Sequence, residues 1–131
     1  MSTNANALIS IVDDDESVRE AVEGLIESLG FRVNAFSSAL DFLASPAVAD
    51  TACMIADVHM PQMSGVELFR RLVELGRAIP TILITAYPNE GVRERALADG
   101  VIGYLIKPFD DDALIRCVRS ALQTAPPGAE A

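Results

Sequence analysis

The sequence predicts one α/β domain built on a doubly wound, five-stranded parallel sheet. Three observations carry this. Four short runs are almost continuously apolar, which means burial on both faces, as in a parallel sheet covered by helices. Segments with helical spacing separate them, and strands alternating with helices build such a sheet through right-handed crossovers. The chain has 131 residues, half of them hydrophobic, which suits a single core.

The elements follow in order. Leu8 to Val12 is the first strand. Val18, Val22, Leu25 and Leu29 then fall three or four apart, giving a helix with one apolar face that Gly30 ends. Gly24 inside that helix costs about 1 kcal/mol relative to alanine and is read as a point of close packing. Phe31 to Phe36 alternates apolar and polar, so it is an edge strand. A short helix near Ser38 to Ala44 stops before Pro46. Ala52 to Ala56 is the third strand. Ser64-Gly65-Val66-Glu67 is a capping box opening a helix with Phe69, Leu72 and Val73 inward. Thr81 to Thr85 is the fourth strand, and Asn89 caps a helix with Val92, Ala96 and Leu97 inward, closed by Gly100. Ile102 to Ile106 is the fifth. Asp110 to Asp112 place negative charge at the start of a last helix bearing Leu114, Val118 and Ala121. The expected strand order is 2-1-3-4-5, the flavodoxin-like arrangement with its crevice between the first and third strands. Residues 1–122 form the domain. Residues 123–131, rich in Ala and Pro, are expected to be a linker or a disordered tail.

Composition excludes several functions. Nineteen acids against ten bases leave a net charge of −9, which argues against direct nucleic-acid binding. No apolar stretch reaches the roughly 18 residues of a membrane span, and the N-terminus has no signal-peptide pattern. Cys53 and Cys117 read as reduced cysteines of a cytoplasmic protein. His59 is the one histidine, so zinc or triad chemistry needing two is excluded.

The polar residues that end the strands are more informative. The first strand runs into Asp13-Asp14, the third into Asp57, the fourth into Thr85 and the fifth into Lys107-Pro108. In an open α/β sheet the crevice lies beyond the carboxyl ends of the strands, so four strands deliver these side chains to one place. Two carboxylates ~4 Å apart repel by roughly 4 kcal/mol at an effective dielectric of 20. Three cannot all stay ionised there without cations. Lys107, the one lysine of the chain, supplies one charge, and the all-oxygen donor set points to Mg²⁺ for the rest. Lys107 beside the Thr85 hydroxyl also suits a small tetrahedral anion. An aspartate in such a place either ligates metal or attacks phosphorus. Asp57, the single acid after a buried strand, is the candidate nucleophile.

Val12-Asp13-Asp14, Asp57-Val58-His59-Met60-Pro61-Gln62-Met63-Ser64-Gly65, Thr85-Ala86 and Gly103-Tyr104-Leu105-Ile106-Lys107-Pro108-Phe109, at these spacings, resemble the receiver domain of two-component response regulators. The resemblance runs from Leu8 to Leu122 and is closest to the FixJ/NarL type, whose receivers usually precede a LuxR-like helix-turn-helix domain. It implies a CheY-like fold and a phosphoacceptor that catalyses only its own phosphorylation and dephosphorylation. Asp57 would accept a phosphoryl group from a sensor histidine kinase or a phosphotransfer protein. Asp14, Asp57 and the main-chain carbonyl of His59 would ligate Mg²⁺, with Asp13 acting through water. Lys107, whose bond to Pro108 is typically cis in the family, would pair with the phosphoryl oxygens. Thr85 would swing inward and Tyr104 would follow into the vacated space. The fourth helix, fifth strand and fifth helix form the face that commonly dimerises or meets the output partner. Asp15 is expected to cap the first helix, and Met60 and Phe109 to pack in the core. His59 and Tyr87 place two bulky groups at the rim, which implies a long phosphoryl lifetime.

Three other readings fit the sequence less well. An aspartate-nucleophile phosphatase usually has a second acid two residues after the nucleophile, where this chain has His59. A flavin module wants a Ser/Thr/Gly loop where this chain has Asp13-Asp14-Asp15-Glu16. A receiver that signals without phosphate would not need Asp57, Thr85 and Lys107 together.

Overall fold

A computed structural model describes residues 6–123. Five strands form one parallel sheet in the order β2-β1-β3-β4-β5: β1 (Leu8–Val12), β2 (Arg32–Phe36), β3 (Thr51–Asp57), β4 (Thr81–Thr85) and β5 (Gly103–Ile106). Between and after them come α1 (Glu16–Ser28), α2 (Ala39–Leu43), α3 (Gly65–Glu74), α4 (Glu90–Ala98) and α5 (Asp111–Leu122). A 3₁₀ turn over Pro46–Asp50 leads into β3. Proline cannot continue α2 but suits the first position of a new turn.

The period of two along each central strand fills two cores. Ile9, Ile11, Cys53, Ile55, Ile82 and Ile84 face Val22 and Ile26 of α1 and Leu114, Val118 and Ala121 of α5. Val12, Met54, Ala56 and Leu83 face Phe42 of α2, Leu68, Phe69 and Leu72 of α3, and Ala96 of α4. β1 and β4 are buried throughout, as continuous apolar runs require.

Several expectations need correction. β5 is an edge strand and only partly buried, with Ile106 50% exposed, because no further strand covers its outer side. Val73 and Leu97, read as inward, are 44% and 37% exposed. Each lies at the margin of its helix's apolar stripe, while Leu72 and Ala96 hold the centre. Gly24 is not a close approach: an added Cβ would meet nothing within 4 Å. Of the expected tail, Gln123 caps α5, and residues 124–131 lie outside the described residues. No helix among the described residues is long and apolar enough to cross a membrane.

Since Gly24 meets no neighbour, only the helix cost remains. Gly24→Ala is expected to stabilise the fold by about 0.5–1 kcal/mol. Urea unfolding measures it, and a lowered midpoint would restore the close-packing reading.

Candidate functional site

Sheet register brings the strand ends into one row. Val12 pairs with Ala56, Asp57 with Ile84 and Thr85 with Ile106. The ladder runs one residue further on three strands: Asp13 N donates to Phe36 O at 3.0 Å, Val58 N to Ile84 O at 2.8 Å and Lys107 N to Thr85 O at 2.7 Å. Asp13, Asp57, Thr85 and Lys107 therefore leave the sheet together, held by main-chain bonds on rigid strands.

The side chains converge accordingly. Asp13 and Asp57 are buried and Asp14 is exposed, and each offers a carboxylate oxygen within 4.8 Å of the other two. Lys107 bridges two of them, its Nζ lying 3.0 Å from Asp13 Oδ2 and 3.1 Å from Asp57 Oδ1. Asp13 Oδ1 accepts from Asp15 N at 2.9 Å, so both Asp13 oxygens are engaged. Asp14 makes no such bond among the described residues. Asp15 caps α1 as expected, accepting from Ser17 N at 2.9 Å and Val18 N at 3.3 Å.

Burial first, and Asp13 next, push the Asp57 carboxyl above the usual carboxylate range, with Lys107 offsetting part of this. Burial disfavours the charged form of Lys107, but its bonds to Asp13 and Asp57 outweigh that and raise it. One ammonium thus pairs with two of the three acids, and an all-oxygen set with excess negative charge fits a hard divalent cation. The Asp15 carboxyl is held below its ordinary value chiefly by the Ser17 hydroxyl and then the Val18 amide, with a smaller contribution from the Lys107 charge. Cys53 is inert chemically, since burial pushes its thiol up to about 12.

The remaining expected residues sit around this centre. Thr85 is fully buried, and its Oγ1 accepts from Tyr87 N at 2.9 Å. Tyr104 is half-buried against the α2–α4 core, and its hydroxyl accepts from Asn89 N at 3.2 Å. His59 is exposed at the rim, in edge-to-face contact with Tyr87 at 5.5 Å between ring centroids. Met60 and Phe109 pack on the two cores. The Lys107–Pro108 peptide is cis.

Two contacts escaped the sequence reading. Gly65 is a close approach: a Cβ there would stand 2.5 Å from the Asp57 carbonyl oxygen. Its φ is not in the left-handed region, so no turn signal marks it. Arg19 Nη1 donates to the Asp13 carbonyl at 2.8 Å, a tertiary contact that spacing along α1 conceals.

A family model for the response regulator receiver domain matches residues 9–119. The chain belongs to the response-regulator receiver family. It is 42% identical over 120 residues to response regulator protein TmoT of Ectopseudomonas mendocina, covering 92% of this chain and 54% of the relative. Transcriptional regulatory protein FixJ of Azorhizobium caulinodans is 37% identical over 114 residues, covering 87% and 54%. The crystal structure of FixJ-N superposes with a TM-score of 0.81 at 34% identity, over 92% of this chain and 96% of that one. This receiver thus spans about half the length of the curated relatives it matches and is FixJ-like in sequence and fold.

Proposed function

We propose that this receiver is a phosphorylation-dependent switch with Asp57 as phosphoacceptor. The observation that carries the reading is a buried carboxylate at the end of a central strand, held by Lys107 beside two further acids. An Asp57 carboxylate oxygen attacks phosphorus of a phosphohistidine on a sensor histidine kinase or phosphotransfer protein. The O–P bond forms, the donor P–N bond breaks, and the electron pair stays on the imidazole nitrogen. Water later attacks the acyl phosphate, releasing phosphate and the free carboxylate. The chain's own catalysis is confined to these two steps.

Asp14, Asp57 and the His59 carbonyl would hold Mg²⁺, with Asp13 reaching it through water. When bound, the ion neutralises charge on carboxylate and phosphoryl oxygens. Lys107 shifts toward the phosphoryl oxygens as a charge-assisted donor. The Thr85 hydroxyl, engaged by the Tyr87 amide, turns to the phosphoryl group, and Tyr104 leaves Asn89 for the space so opened. That movement changes the α4–β5–α5 face, where exposed Leu97 and Ile106 support homodimer contact. The phosphodonor has a groove of about 550 Å³ between α1 and the connection from β5 to α5, lined by Val18, Leu25 and Phe109 with Lys107 at its edge. Residues 1–122 are the receiver and 123–131 a linker toward a transcriptional output domain, which the length and names of the relatives support. Such a chain works in the cytoplasm and leaves DNA to that domain.

Transfer from a small phosphodonor in Mg²⁺ tests the reading, with the label expected only on the peptide carrying Asp57. Label on any other peptide would count against it. The His59–Tyr87 ring pair shields the site from water, so a His59→Ala, Tyr87→Ala double variant is expected to lose its phosphoryl group faster. An equal half-life would refute the shielding.

A further inference from the structure

Arg19 stands on α1 with Glu16 three residues before it and Glu23 four after, the spacings at which helical ion pairs form. It takes neither. No ion pair to Arg19 occurs among the described residues, and its Nη1 reaches back to the main-chain carbonyl of Asp13 at 2.8 Å.

That bond closes a ring. Asp13 Oδ1 accepts from Asp15 N at 2.9 Å, Asp15 Oδ1 accepts from Ser17 N at 2.9 Å, and Arg19 returns from the helix to Asp13. Both Asp13 oxygens and Asp15 Oδ1 are therefore engaged, on the turn, on the start of α1 and on Lys107. The carboxylate of Asp14, between them, stays free and lies with Asp57.

We propose that Arg19 is a positioning residue for the divalent cation: it clamps the Asp13–Asp15 turn so that Asp14 meets Asp57, while touching neither cation nor phosphoryl group itself. The proposal rests on reading Asp13, Asp14 and Asp57 as the metal site. Its sign separates it from simple electrostatics. A guanidinium near a cation repels it, so charge alone predicts tighter Mg²⁺ binding once Arg19 is neutralised. Loss of a group that orients ligands predicts the opposite, a 10- to 100-fold weakening.

Calorimetric titration of the full chain with Mg²⁺ decides between them, comparing wild type, Arg19→Gln and Arg19→Lys. Arg32→Gln serves as control, since that exposed arginine pairs with Asp50 on β2's side of the molecule. Arg19→Gln is expected to raise the Kd for Mg²⁺ about tenfold or more, and phosphodonor labelling should recover at saturating Mg²⁺. Exchange of the Asp15 amide hydrogen should quicken. Arg19→Lys keeps the charge and one donor but loses the planar fork, so its Kd should rise about two- to fivefold. Unchanged or tighter binding in Arg19→Gln overturns the proposal, and an unchanged Arg19→Lys does so if the Gln variant does not fold. A wild type that binds no Mg²⁺ overturns the metal-site reading, which is a different failure.

Discussion

Asp57→Asn is expected to abolish labelling by a small phosphodonor in Mg²⁺ and, in a chelator at neutral pH, to raise thermal stability. The first effect removes the attacking oxygen. The second follows from the environment of the carboxyl, which burial and then Asp13 push above its ordinary range. A carboxyl raised in the folded state costs stability wherever it is ionised. That cost is full above the folded pKa and is relieved as pH falls through it toward the unfolded value. Asparagine keeps the shape without the charge, so the variant is expected to melt at a higher temperature than the wild type. The gain should shrink on acidification, as the wild type protonates. Melting curves in a chelator from neutral to acid pH measure this. A wild type more stable than Asp57→Asn at neutral pH would show that Lys107 more than offsets the crowding.

Gly65→Ala is expected to be strongly destabilising. The added Cβ would stand 2.5 Å from Asp57 O, 3.1 Å from Asp57 C and 3.1 Å from Leu83 Cδ2. Main-chain atoms at the end of a buried strand cannot rotate aside, so either β3 or the start of α3 must move. A loss of about 2–3 kcal/mol follows from overpacking of this kind. The displaced atoms belong to the phosphoacceptor, so Mg²⁺ affinity should fall as well. Gly103→Ala makes a useful contrast. Its Cβ would meet Cys117 Sγ at 2.8 Å, a side chain on a helix that can adjust, so its cost should be smaller and Mg²⁺ affinity kept. Equal losses of stability and affinity in both variants would refute the special position of Gly65.

Much of this molecule is legible in the chain, for physical reasons. β1 and β4 occupy the residues read as strands, because burial on both faces leaves an unbroken apolar run. The capping box at Ser64, the Asn89 cap and the Asp15 cap form as written, since capping is local chemistry within a few residues. The acidic centre is legible because a parallel sheet fixes where strand ends lie. What the letters hide depends on neighbours distant in sequence. Gly65 and Gly24 look alike as helix glycines, yet one abuts the Asp57 carbonyl and the other faces open space. Arg19 has the spacing of a surface ion pair and spends its guanidinium on Asp13. Val73 and Leu97 are apolar at helical spacing and still exposed, because a stripe's margin depends on how the helix is rotated on the sheet.

Intact-protein mass measured after incubation with a small phosphodonor tests the central claim most directly, with Mg²⁺ present and then chelated. A gain of one phosphoryl group that requires Mg²⁺ and disappears in Asp57→Asn is the predicted result. A folded wild type that gains no mass, or an Asp57→Asn variant labelled as fully as wild type, would contradict it.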